Sequence, residues 1–457
     1  MGLDVSESTG SAEHFLDEHA PLAERRNVIS GDLHRRYNTK RGLRNEDGTG
    51  VLIGLTEIGE VHGYMIEEQE RVPDEGRLSY RGINIRDLVE GFQRDGRPGF
   101  EETAYLLLFG KLPTEAEWSE FWAVLGQHRD LPAGFTEDAM LHAASANIMN
   151  MLARTVLALY SYDDNPEALS IRHVLRHSVE LIARFPTLVA YAYQAKRHYY
   201  HGESLYIHGP SRELSTAENL LSMIRPDQQY TELEAETLDL ALVLHAEHGG
   251  GNNSAFTIHV VSSAATDTYS AISAGVGSLK GAKHGGANER VVGMMADVKE
   301  HVRDWNSEEQ VADYIREIIK GSAHDRSGLV YGMGHAVYTL SDPRAVLLKE
   351  KARELAETKG LLEEFRLYDA VERLTPQVFR EIKGTSRPIA ANVDFYSGFV
   401  YGMLNIPSEL FTPIFAVARI SGWCAHRIEE LVSGGRIIRP AYKNVLGKQP
   451  YTPMAER

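Results

Sequence analysis

The stretch Phe411-Thr-Pro-Ile-Phe-Ala-Val-Ala-Arg419-Ile-Ser-Gly-Trp-Cys-Ala425 decides the fold class. Thr412 and Pro413 open a helix, because proline fits a first turn whose amides have no partner anyway. From Ile414 to Ala425 the sole charge is Arg419. A helix apolar nearly all round is a buried one. A buried guanidinium is costly unless paired, and no acid lies within a helical turn of it. Its partner is therefore a distant carboxylate of the chain or an anionic ligand. Cys424, in the same helix, fills core space.

Most of the remaining sequence also reads as helix. Phe100, Ala104, Leu107 and Leu108 recur at helical spacing between Gly99 and the stop formed by Gly110 and Pro113. Thr114 with Glu117, Thr231 with Glu234, and Ser307 with Gln310 have capping-box spacing. Ile148–Leu159 carries one charge, Arg154, and reads as a helix buried in a large domain or a subunit interface. Val51–Ile66 is punctuated by glycine and suggests a small β-hairpin. The expected fold is mainly α, multi-helical, with that minor hairpin near the N-terminus. Residues from about 296 to 387 are charge-dense, whereas 235–284 and 395–432 are apolar and rich in Gly, Ala and Ser. The expected organisation is an N-terminal arm (1–30), a large domain (31–289 and 391–457) and a smaller inserted domain (290–390).

The chain has 457 residues, 48 basic and 64 acidic, with a net charge of −16. It has no basic surplus with which to neutralise phosphates, which argues against a nucleic-acid partner. The single cysteine excludes an internal disulfide and a cysteine-rich zinc site, and fits a reducing, cytoplasmic location. No apolar run is long enough to span a membrane. Residues 1–25 are acidic and do not read as a leader. The match of Met1–Ser6 to a myristoylation pattern is of a kind that arises by chance.

Unusual residues gather at the two junctions of the inserted segment. In Leu238–Asn252, Leu238, Ala241, Leu242, His245 and His248 fall on one helical face, and the run Gly249–Gly251 ends the helix. Histidines there are favoured as cations, and the pair reads either as a carboxylate site or as core and capping residues. No third ligand stands nearby, so no metal is expected. In Gly281–Glu289, His284 precedes a helix start, whose dipole keeps an imidazole neutral; it is a hydrogen-bond donor or a turn residue. In Gly332–Arg344, Gly332 and Gly334 permit close backbone approach, Asp342-Pro343 opens a helix, and Arg344 sits against the dipole preference. It serves a ligand or the surface. Asp394 lies among apolar and aromatic residues, where burial would raise its pKa, or else it caps the helix that follows. An Asp base, neutral His donors and Arg carboxylate clamps together suit enolisation of a carbonyl compound and its addition to a dicarboxylic keto acid.

These residues carry a resemblance to the citrate synthase family. It rests on His245-Ala-Glu-His248, 281–289, 332–344, Asn392–Gly398, Phe411–Arg419, 437–440 and 100–113, in the family's order, and spans roughly Gly50 to Tyr442. The resemblance implies that Asp394 deprotonates the methyl group of acetyl-CoA, that His284 stabilises the enol, and that His335 polarises and protonates the ketone of oxaloacetate. It implies that His245, His248, Arg344 and Arg419 bind oxaloacetate, and that Arg439 reaches across a homodimer. It implies a small domain that closes over the substrates, no metal, and coenzyme A as acyl carrier rather than a resident cofactor. Family members often hold CoA with basic residues between the His and the Asp-Pro-Arg, but Ala336–Ser341 has none. Lys383 or Arg387, with Gly332 and Gly334, are the candidates instead. 2-Methylcitrate synthase, using propionyl-CoA, shares the catalytic set and is the alternative; a non-catalytic sensor would be expected to lack part of it.

Overall fold

The helix Phe411–Val432 is buried continuously from Phe411 to Arg427, as its apolar sequence requires. The computed structural model describes residues 5–45, 48–67, 70–384, 388–433 and 435–457. They divide into two compact units, Met1–Gly54 with Arg439–Arg457, and Leu55–Ile438. In the first, Val5–Arg26 of the expected N-terminal arm is helical, and its described side chains are exposed. The myristoylation pattern falls largely on residues outside those described.

Eight helices of the second unit position the site. They are α1 (Ile171–His201), α2 (Glu232–His245), α3 (Asn253–Ser262), α4 (Ala287–His301), α5 (Pro343–Lys359), α6 (Leu362–Lys383), α7 (Val393–Met403) and α8 (Phe411–Val432). Helices α1, α2 and α3 and the helix Phe100–Phe109 pack on α8, while α4 and α5 pack on α7. Residues 290–390 thus contact the rest through α7 and through α5 against α2. The capping boxes at Thr114 and Thr231 form as their spacing predicts. At Ser307 only half does: Ser307 accepts from Gln310 N, but the Gln310 side chain turns to Asp304 N. Ile148–Leu159 buries one face and leaves Asn150, Arg154 and Leu157 exposed. No helix among the described residues is long and apolar enough to cross a membrane.

The fold is mainly α, as expected, but the hairpin is displaced. Strand β1 (Gly59–Glu67) pairs antiparallel with β2 (Glu70–Tyr80), and β3 (Ile83–Asn84) completes the sheet. The stretch Val51–Leu55 is not a strand. Leu55, Ile58, Val61 and Tyr64 are spaced by three rather than two, and β2 hides behind Pro73 and its charges, which are poor strand residues. Tyr80 ends β2 fully buried, and its hydroxyl donates to Val243 O at 2.9 Å. It thereby adds a second donor, beside the Ala246 N–H, to a carbonyl of the last turn of α2.

Candidate active site

Helix α8 carries Arg419 to the end of α2. The guanidinium is 1% exposed, its Nε donates to His245 O at 2.7 Å, and its carbon lies 4.7 Å from the Phe415 ring centre. Among the described residues it makes no ion pair, and Nη2 is buried without a hydrogen-bond partner. Burial pulls its pKa down to about 10. The nearest partner is a carbonyl, so one strong donor of a buried cation is left unsatisfied, an arrangement that calls for a ligand.

Four histidines surround this point. Helix α2 ends at His245, before the glycine run, so His248 lies beyond it rather than on its face. His245 donates through Nδ1 to Ala241 O at 2.8 Å and packs edge-on against Phe415; burial lowers its pKa to about 3. Burial and then Arg344 also hold His248 well below the usual range. The cationic state expected from the helix terminus is overturned: burial among other cations outweighs a terminal dipole. His248 Nε2 is hydrogen-bonded to Tyr338 Oη at 3.2 Å, and its ring centre is 5.2 Å from that of His335. His335 Nδ1 accepts from Val337 N at 3.0 Å and Tyr338 N at 3.2 Å, which places its proton on Nε2.

His284 is neutral as expected, with a different cause. It lies in a turn two residues before Gly286, the N-cap of α4, and burial followed by Arg419 lowers its pKa to about 4. Its Nε2 accepts from Ser254 N, at 3.3 Å, in the first turn of α3. The proton of the neutral ring therefore sits on Nδ1.

Arg344 is 4% exposed and held by its own N-cap: Nε donates to Asp342 Oδ1 at 3.0 Å and Nη2 to Oδ2 at 2.7 Å. Among the described residues Nη1 has no partner. The loop before it is gripped by the hairpin. Thr339 Oγ1 donates to Gly63 O and Asp74 O, and Ser341 Oγ accepts from Gly76 N at 3.2 Å. A Cβ on Gly63 would lie 2.6 Å from Tyr338 Cα, and one on Gly76 would collide with Ser341 O. Gly76→Ala is therefore expected to destabilise the fold by about 1–3 kcal/mol and to lower activity further, as the His335 loop shifts. Urea unfolding with kcat measurement checks both.

Asp394 sits in the first turn of α7, whose N-cap is Asn392; the capping reading of Asp394 falls. Its carboxylate accepts no hydrogen bond among the described residues. Burial pushes its pKa up to about 6, against the pull of Arg344 and Arg419. Gly332 and Gly334 have φ of 77° and 90° and bond to 390–392: Gly334 N donates to Ala390 O at 2.7 Å and Asn392 N to Gly332 O at 2.9 Å. A Cβ on Gly332 would lie 2.8 Å from Phe395. The chain's own packing thus accounts for Gly332. Lys383, the last residue of α6, is exposed, and Arg387 lies outside the described residues. Arg439 belongs to the terminal unit and is exposed.

The structure thus gathers His245, His248, His284, His335, Arg344, Asp394 and Arg419. Sequence reasoning missed Tyr338, Phe415, Ser254 and the hairpin grip. Phe415 could have been found: it lies one helical turn before Arg419, where an aromatic face meets a cation.

The family model described as "Citrate synthase, C-terminal domain" matches residues 47–441. The citrate synthase of Haloferax volcanii is 36% identical over 94% of this chain and 100% of its own length. The 2-methylcitrate synthase 1 of Corynebacterium glutamicum is 31% identical over 89% of this chain and 97% of its own. The citrate synthase of Thermoplasma acidophilum, solved as a ternary complex with carboxymethyl coenzyme A and oxaloacetate, superposes with a TM-score of 0.73 at 25% identity, covering 92% of this chain and 99% of that one. The chain belongs to the citrate synthase family.

Proposed function

We propose that the chain condenses acetyl-CoA with oxaloacetate and hydrolyses the resulting citryl-CoA to citrate and CoA, with no resident cofactor. The observation that carries this reading is the pairing of an Asp394 carboxylate that, among the described residues, accepts no hydrogen bond with a buried Arg419 whose Nη2 is likewise without a partner. One suits a base and the other a carboxylate ligand. Asp394 takes a proton from the acetyl methyl group, and His284 Nδ1–H donates to the thioester oxygen of the enol. The methylene carbon attacks the keto carbon, forming the new C–C bond, while His335 Nε2–H delivers its proton to the keto oxygen. Arg344, Arg419 and His248 hold oxaloacetate, and His245 keeps Arg419 in place through its carbonyl. Water then cleaves the thioester.

The same reading takes Lys383, with the Gly332–Gly334 turn, as the contact to CoA, and 290–390 as the domain that closes to exclude water. It includes a homodimer in which Arg439 reaches the partner's site, supported by the family-like 437–440 stretch and the exposure of Arg439. A cytoplasmic location fits the single, buried Cys424. The test is thiol release from acetyl-CoA and from propionyl-CoA with oxaloacetate. Higher kcat/KM with acetyl-CoA supports the proposal. Preference for propionyl-CoA would make the enzyme a 2-methylcitrate synthase, and release with neither would end the reading.

A further inference from the structure

We infer that His259, His426 and Glu429 form a binding site for a divalent transition cation of zinc's class. His259 lies on α3 and the other two on α8. One ligand atom from each of the three lies within 4.8 Å of the other two. The two imidazole nitrogens are 3.1 Å apart, and Glu429 Oε2 is 3.8 Å from His426 Nδ1. Tetrahedral zinc, with bonds of about 2.0–2.2 Å, sets its ligand atoms about 3.2–3.6 Å apart. Shifts well under an ångström for the closer pairs, and a modest turn of the Glu429 carboxylate, would close the set.

The outer nitrogens decide the reading. His259 Nδ1 faces Glu430 Oε2 at 2.9 Å, and His426 Nε2 faces Glu247 Oε1 at 3.0 Å. Each outer nitrogen carries a proton toward a carboxylate, so the inner nitrogens are left to share one further proton or to hold a cation; against the cost of burial, Glu247 and Glu429 favour the charged ring and raise the His426 pKa to about 9. Those two nitrogens lie at hydrogen-bond distance from each other, beside a Glu429 Oε2 that is buried and, among the described residues, has no hydrogen-bond partner. A proton between the rings would satisfy the nitrogens and leave that oxygen orphaned; a cation satisfies all three. Carboxylates behind both histidines are the usual supports of metal-binding imidazoles. Gly250 keeps the space clear, since a Cβ there would lie 3.3 Å from His259 Nε2 and 3.4 Å from His426 Cε1. Two nitrogens and one carboxylate oxygen suit zinc better than magnesium or calcium. The cation would tie α3 to α8 beneath the loop that carries His248, in a structural role independent of the proposed reaction.

The test uses the full chain, freed of metal with a chelator and titrated with CoCl2 and ZnCl2. The expected result is one equivalent of cobalt per chain with visible bands of tetrahedral intensity, displaced by zinc, and a thermal midpoint raised by several degrees. His259→Gln should abolish this binding and keep the rate of thiol release within about twofold. Glu430→Gln should weaken binding by about 10–100-fold. Absence of saturable binding, or unchanged affinity in either variant, would overturn the site and leave the reaction assay unaffected.

Discussion

Asp394→Asn is expected to lower kcat by about 10²–10⁴-fold, the range that a positioned general base contributes. Oxaloacetate affinity should change little, because the carboxylate-binding groups remain. The amide keeps the shape of the side chain but takes no proton. The wild-type pH profile supplies a second signature. Burial pushes Asp394 up to about 6, so the base is ionised above that pH and is lost as pH falls through it. His284, at about 4, and His248, well below the usual range, are already neutral throughout that window. The acid limb of the kcat/KM profile near pH 6 should therefore belong to Asp394. A variant with near-normal kcat, or a wild-type profile flat down to pH 5, would remove it from the base role.

Arg419→Leu is expected to weaken oxaloacetate binding by about 2–5 kcal/mol, the usual cost of removing one partner of a buried, hydrogen-bonded charge pair. That is a rise in Kd of roughly 30-fold to several thousandfold. Stability should respond differently. Burial lowers the pKa of Arg419 to about 10, which means that the folded protein disfavours its charge. Among the described residues its guanidinium makes one hydrogen bond, to the His245 carbonyl. An apolar residue of similar bulk removes a desolvated cation, and such replacements are often neutral or stabilising. The thermal midpoint should stay within a few degrees, and the increase that oxaloacetate gives the wild-type protein should vanish. A variant that unfolds early but still binds tightly when folded would show that Arg419 serves the core rather than the ligand.

Where the sequence could be read well, one physical term dominated. The apolar run around Arg419 permitted only burial, and the Asp342-Pro343 pair permitted only a helix start. Asp394, set among aromatic residues, had to be desolvated, and its raised pKa followed. Reading failed where two terms competed over distance. The dipole at the end of α2 favours a charged His248, but burial, and then Arg344 and His335, distant in sequence, hold it neutral. For Arg344, the local argument foresaw a ligand or the surface, and the side chain folded back on its own cap as well. The hairpin was displaced because β2 is held by pairing and by its grip on the 338–341 loop, while its composition disfavours strand.

That grip also bears on the order in which the molecule assembles. Asp74 and Thr339, which join the hairpin to the loop, are 265 residues apart in sequence. The helices are built from local contacts and form early, whereas a contact of that span must first overcome the entropy of closing a very long loop. The loop that carries His335 should therefore reach its native shape late. On dilution from denaturant, recovery of catalytic turnover should lag behind recovery of the far-ultraviolet helical signal; simultaneous recovery would show that the hairpin and loop join before the helices have packed.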